Sequence, residues 1–366
     1  MLSQIDVRTL RQWLEEKRPV TVLDVRLDED RAQWLIPGSI HINAYEALKS
    51  GQPNALAMVE LAHDVPVVTV CNRGHVSQLA AQYLAERGVP ALSLLGGMQA
   101  WTLAWNTAQL KLAQLEILQV RRTGKGCISY LLSSQNEAIV IDASLPPELY
   151  VELAEKRGLR IRYVLDTHIH ADHLSRSKFL ADATGAELWL PKQDRVHFPS
   201  HVLTDGSELR FGDSTLQAIH TPGHTPESTS YFVDGQALFT GDTLFLSGVG
   251  RPDLHANSHQ ASEQAGQLYH SLKKILRLDP SVLVFPAHTS APVPFDHEML
   301  TARLGDIAVQ LHDWFPSQAS FTERILSRIP PTPPNYTRIT ELNESGELPD
   351  VDVTELEAGA NRCAVN

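Results

Sequence analysis

The chain has 366 residues, 43% hydrophobic and 20% charged, which describes a folded globular protein and excludes a disordered one. A formal net charge of -12 argues against nucleic acid or an anionic membrane surface as the main partner. At this length two domains are expected. No run of about 18 apolar residues marks a membrane span.

In chain order, Met1 to Arg18 is charged and amphipathic, lacks a secretory apolar core, and leaves the cytoplasm as the expected location. Short β-branched runs at Val20–Val25 and Val65–Val70 predict strands. Leu79, Ala80, Tyr83 and Leu84 recur at helical spacing between Ser77 and Arg87, Gly88 ends that helix, and Ala91–Leu95 reads as the next strand. Strand, helix, strand within residues 1–108 implies a small α/β unit with a parallel sheet. A polar connector is expected around Asn106–Leu115. Strands follow at Ile128–Leu132, Ala138–Ile141, Ile161–Leu165, Leu216–Ile219, Ala237–Phe239 and Val282–Phe285, with helices at Pro147–Arg157 and Ser262–Leu276. Residues 109–320 thus form the second domain. Residues 321–366 are an extension expected to pack on it, with prolines at 330, 331, 333 and 334 and an acidic stretch from Glu341 to Glu357.

The strand Val65–Val70 ends at Cys71-Asn72-Arg73-Gly74-His75-Val76-Ser77, directly before a helix. A thiol there meets converging backbone N–H groups and the positive end of the helix dipole, which favours a thiolate, a persulfide or a bound anion. With Asp24-Val25-Arg26, Ile36-Pro-Gly-Ser-Ile40 and Leu95-Gly-Gly-Met-Gln-Ala-Trp101, the loop resembles a single rhodanese (sulfurtransferase) domain over residues 1–108. That resemblance implies that Cys71 is the nucleophile carrying sulfane sulfur. Val76 stands where the family usually has Arg or Thr, so Arg73 and His75 are the cations left to bind substrate. Cys127 and Cys363 lie in no comparable loop and are expected to pack as small hydrophobes.

The second region carries its donors at strand ends. Ile161–Leu165 runs into Thr167-His168-Ile-His170-Ala-Asp172-His173, Leu216–Ile219 into Thr221-Pro-Gly-His224, Ala237–Phe239 into Thr240-Gly-Asp242, and Val282–Phe285 into Pro286-Ala-His288. Imidazole and carboxylate groups gathered beyond the carboxyl ends of strands suit zinc, iron or manganese. These motifs resemble the metallo-β-lactamase superfamily over residues 115–320, with its αββα fold. Ser247-Gly-Val-Gly-Arg251-Pro-Asp253, Leu268-Tyr-His-Ser-Leu272 and the tail Ala360-Asn-Arg-Cys363-Ala-Val resemble its persulfide dioxygenase branch, the ETHE1-like sulfur dioxygenases.

The resemblance implies one Fe(II) held by His168, His224 and Asp242, with His170, Asp172, His173 and His288 orienting those ligands. It also implies oxidation of glutathione persulfide, or a similar small persulfide, by O2 to sulfite and thiol, with a homodimer as one candidate assembly. Arg251 matches the arginine of the branch's Gly-x-Gly-Arg-x-Asp motif, and either fixes that loop or binds an anionic substrate. Ser290 replaces a Tyr common two residues after the Pro-Ala-His histidine. The alternative stays open that the same seven donors hold two Zn(II) ions for hydrolysis, as in glyoxalase II-type thioesterases.

Overall fold

A computed structural model describes residues 4–350, 352–359 and 361–365. Ala360 of the tail motif lies outside the described residues. The first domain is a five-stranded sheet, every pair parallel, built on Thr21–Asp24, Val67–Val70 and Ala91–Leu94, with Gln4–Ile5 and Ile40–His41 at its edges. Val67–Val70 is fully buried because helices cover both faces of the sheet, hence the unbroken apolar run.

The second domain stacks two sheets, one of seven strands and one of six. Alternation along each strand decides which layer a side chain enters. Ile128, Tyr130 and Leu132, with Ile139 and Ile141, meet Phe211, Tyr231, Phe239 and Phe285 of the facing sheet. Leu131, Ala138 and Val140 point the other way, under the helices Pro147–Glu155 and Ser177–Thr184. Leu238 and Val284 pack outward against the helices Ser258–Ile275 and Gln318–Leu326. Helix, sheet, sheet, helix is the layering that the metallo-β-lactamase resemblance implies.

Two expectations need revision. The connector around Asn106–Leu115 is a strand, Asn106–Leu112, paired antiparallel with Leu115–Arg121 at the edge of the seven-stranded sheet. Its outward Thr107, Gln109 and Lys111 gave it the polar look of a linker. The second sheet therefore begins before residue 108. The extension also bridges both domains. Phe321 and Ile325 join the core of the second domain, whereas Thr354 and Asp352 reach Gln99 of the first. Part of its acidic stretch is helical, in Tyr336–Ser345, whose Ile339 and Leu342 bury against Leu174.

The domains are joined tightly. Trp34 donates its indole N–H to the Thr123 carbonyl at 2.9 Å, and Trp101 packs against Phe295. Among the described residues no helix is long and apolar enough to cross a membrane.

Candidate metal centre

Three of the four strand ends deliver a donor to one buried place. His168, His224 and Asp242 bring ligand atoms within 4.8 Å of one another. His168 Nε2 and His224 Nε2 stand 3.9 and 3.6 Å from Asp242 Oδ2. The hydrogen bonds behind these rings set their tautomers. The Thr167 hydroxyl has one proton, which goes to the Asp142 carboxylate at 2.9 Å. It therefore accepts from His168 Nδ1, also at 2.9 Å, leaving the lone pair on Nε2. His224 Nδ1 donates to the Arg251 carbonyl at 2.8 Å, which again leaves Nε2 basic. His168 Nε2 and Asp242 Oδ2 are buried without any hydrogen-bond partner. Such orphaned donors are costly unless an ion takes them, so the residues fit a metal.

The electrostatics agree. Burial, then the neighbouring His170, holds the His168 imidazole well below its usual range, so it is neutral. Burial would raise the Asp242 carboxyl, but His288 outweighs it and holds the group ionised well below the ordinary carboxylate range. Gly241, at φ +53°, lets the Asp242 turn pass close to Thr167; a Cβ there would stand 2.6 Å from the Thr167 hydroxyl.

The remaining predicted donors form other clusters. His170 turns away to Asp142, 3.2 Å from Nε2, in a buried set with Asp166. Asp172, His173 and His288 gather around Cys127. His288 Nδ1 contacts Asp242 Oδ1 at 2.5 Å while its Nε2 lies 2.9 Å from Asp172 Oδ2, so it links the two clusters.

Sequence reasoning missed three participants. The Cys127 thiol is 3.4 Å from Asp172 Oδ2 rather than packed among apolar groups. Burial and Asp172 push it up, but His173 and His288 outweigh them and bring it down to about 7. Asn361 donates to Asp172 Oδ2 at 2.8 Å, and the Cys363 thiol lies within 4.8 Å of ligand-capable atoms of Asp242 and His288. The Asn-Arg-Cys tail motif was the available signal, although nothing in it specified the contact.

Arg251 is wholly buried and bidentate to Asp253, with Nε–Oδ1 and Nη2–Oδ2 both 2.7 Å, and its third nitrogen meets the Pro331 and Arg362 carbonyls. It serves the loop whose carbonyl orients His224; its guanidinium is not turned toward a substrate. The pocket that opens on His288, about 260 Å³, is lined instead by Phe245, Leu246, Ser247, Ser290 and Arg362.

In the first domain the Cys71 loop closes as the sequence suggests. Gly74 N–H donates to Sγ at 3.1 Å, and the Met98 and Gln99 N–H groups bind the Cys71 and Asn72 carbonyls. Arg73 and His75 do not converge on the thiol. Arg73 pairs with Glu355 of the extension at 2.6 Å, and His75 is exposed at the helix start.

Comparisons with known proteins agree with this architecture. Residues 6–104 match the rhodanese-like domain and residues 122–288 the metallo-beta-lactamase superfamily. Residues 6–104 thus form a rhodanese-like domain and residues 122–288 a metallo-beta-lactamase domain, and the second carries His and Asp clusters that could hold a metal. The chain is 35% identical over 161 residues to a hydroxyacylglutathione hydrolase of Francisella tularensis subsp. novicida, covering 43% of this chain and 61% of that one. The chain thus spans about three-fifths of the length of this curated relative. Among solved structures it is similar to a metallo-beta-lactamase from Staphylococcus aureus (TM-score 0.58, 26% identity, 64% of this chain and 73% of that one). It is also similar to ETHE1 from Myxococcus xanthus (TM-score 0.54, 25% identity, 66% of this chain and 98% of that one).

Proposed function

We propose that the chain is a persulfide dioxygenase that converts glutathione persulfide, or a similar small persulfide, with O2 and water to sulfite and the free thiol. Cys71 would handle sulfane sulfur beside it. The observation that carries this reading is the buried set of two histidines and one carboxylate, His168, His224 and Asp242, in which His168 Nε2 and Asp242 Oδ2 have no hydrogen-bond partner, the donor set of non-haem iron oxygenases. Iron(II) held by these residues would supply a Lewis acid with open positions for the persulfide sulfur and O2.

The chain's own residues do the rest. Thr167 and the Arg251 carbonyl hold the two rings in the tautomer that presents Nε2. Phe245 and Leu246 give the pocket an apolar wall, and Arg362 gives it a cation suited to the carboxylates of a glutathione-type thiol. Structural likeness to the Myxococcus xanthus ETHE1 supports this reading. Both chemistries fit one chain, because a loaded Cys71 can transfer its sulfur to a thiol, forming the persulfide and regenerating the free Cys71 thiol.

A second reading, a dizinc thioester hydrolase of the glyoxalase II type, is favoured by the identity to hydroxyacylglutathione hydrolases. It requires Asp172, His173 and His288 as ligands of a second ion. Oxygen uptake by iron-loaded protein on adding glutathione persulfide, set against cleavage of a glutathione thioester by zinc-loaded protein, separates the two.

A further inference from the structure

The carboxyl ends of Thr21–Asp24 and Val67–Val70 lead into three arginines, and each is already committed. Arg26 is buried and bidentate to Asp24, with Nε–Oδ1 2.9 Å and Nη2–Oδ2 2.7 Å. Arg31 shares Asp24 Oδ2 at 3.1 Å and donates to the Ser39 hydroxyl and carbonyl. Arg73, two residues after Cys71, pairs with Glu355 of the extension at 2.6 Å. Asn72, Arg73, Asp30, Gln99 and Glu355 line one cleft of about 370 Å³ between the loop and the extension. Two more carboxylates reach the same place through amides. Asp30 accepts from Asn72 Nδ2 at 2.8 Å and Asp352 from Gln99 Nε2 at 3.4 Å, and among the described residues neither forms an ion pair.

The charge around the loop is therefore set by the extension. With Arg73 neutralised and Asp30 and Asp352 uncompensated, an approaching dianion meets a negative field, and the penalty grows with its charge. The Arg73 and Glu355 side chains are 64% and 61% exposed, and a pair so open to water contributes little to stability. The extension is held instead by the buried pair of Glu357 with Arg122. We propose that Glu355 determines which donor loads Cys71: by occupying Arg73 it disfavours dianionic inorganic donors such as thiosulfate and leaves organic persulfides as the donor class. Repulsion of the wrong donor is the source of the selectivity. In loading, the Cys71 thiolate attacks the outer sulfur of the persulfide. A bond from Sγ to that sulfur forms, the donor's S–S bond breaks, and its electron pair leaves on the organic thiolate. The transferred sulfur keeps its proton. The inference rests on the proposed role of Cys71 as a sulfane-sulfur carrier and narrows it to a donor class.

The test is loading of the full chain without O2, so that the metal centre cannot oxidise the donor. It is read by mass spectrometry as the gain of one sulfur atom, with Cys71→Ser as the blank. Thiosulfate is set against cysteamine persulfide, whose ammonium offsets its negative charge. Glu355→Gln is expected to speed loading from thiosulfate about fivefold, the size of removing one charge a few ångströms from a dianion, and to leave the persulfide within about twofold. Glu355→Lys should speed thiosulfate further. Arg73→Gln/Glu355→Gln, which lacks both charges, should fall back toward the wild-type rate. Raising the salt to about 1 M should shrink the gain. The ratio of the two donors on one sample cancels any loss of folded protein, so a contact that only anchors the extension would lower Tm and leave the ratio unmoved. An unmoved ratio in Glu355→Gln and Glu355→Lys would overturn the proposal. Failure of every donor to load Cys71, in the wild type and the variants alike, would refute the carrier role itself and the inference with it.

Discussion

Replacing Glu357 tests how the extension holds the site. Its carboxylate is wholly buried, 2.5 Å from Arg122, and also accepts the Leu174 N–H at 2.7 Å, next to His173. Arg122 in turn binds the Thr102 carbonyl of the first domain at 2.7 Å and the Ser144 carbonyl of the second at 3.1 Å. Glu357→Ala leaves Arg122 buried and unpaired, with Arg176 nearby, and breaking such a pair costs about 3–5 kcal/mol. For a domain of this size each kcal/mol lowers Tm by roughly 2–4 °C, so a fall of about 6–20 °C is expected by calorimetry. Faster amide exchange at residues 172–176 and 353–365 should accompany it. The double variant Arg122→Met/Glu357→Leu, which removes both charges, should recover much of the loss. The pair also predicts acid lability. Burial would raise the Glu357 carboxyl, but Arg122 and Arg176 hold it below its ordinary value. Its folded value lies below its unfolded one, so its stabilisation is present above about pH 4.5 and fades as pH drops through the folded value. A Tm loss under about 2 °C, or no rescue by the double variant, would refute the reasoning.

Three further outcomes follow from the geometry. Asp242→Asn removes the one charged ligand and should lower metal content at least tenfold, measured by elemental analysis after dialysis. Cys71→Ser should abolish loading of sulfane sulfur, detected by cyanolysis, while leaving metal content unchanged. Gly97→Ala, at φ +58° with a Cβ that would fall 2.2 Å from the Cys71 carbonyl, should destabilise the first domain by about 2–4 kcal/mol in urea titration.

The histidines and aspartates at the strand ends were legible because each follows an apolar run, and in a sheet of this kind the ends of such runs converge. Strand alternation was partly legible. Val67–Val70 and Glu137–Ile141 announce themselves by β-branched residues, but Asn106–Leu112 is an edge strand whose polar half looks like a linker. Contacts across long separations left no local trace. Cys127 reaches Asp172 over 45 residues, Asn361 over 189, and Glu357 reaches Arg122 over 235. Arg251 shows the converse. Its motif was visible, yet only the bidentate contact to Asp253 assigns it to the loop.

The central claim is tested most directly by O2 consumption of the Fe(II)-loaded chain on adding glutathione persulfide, with His168→Ala alongside. The account predicts uptake with stoichiometric sulfite, and loss of both in the variant. No uptake, from a chain that binds two zinc ions and cleaves a glutathione thioester, would contradict it.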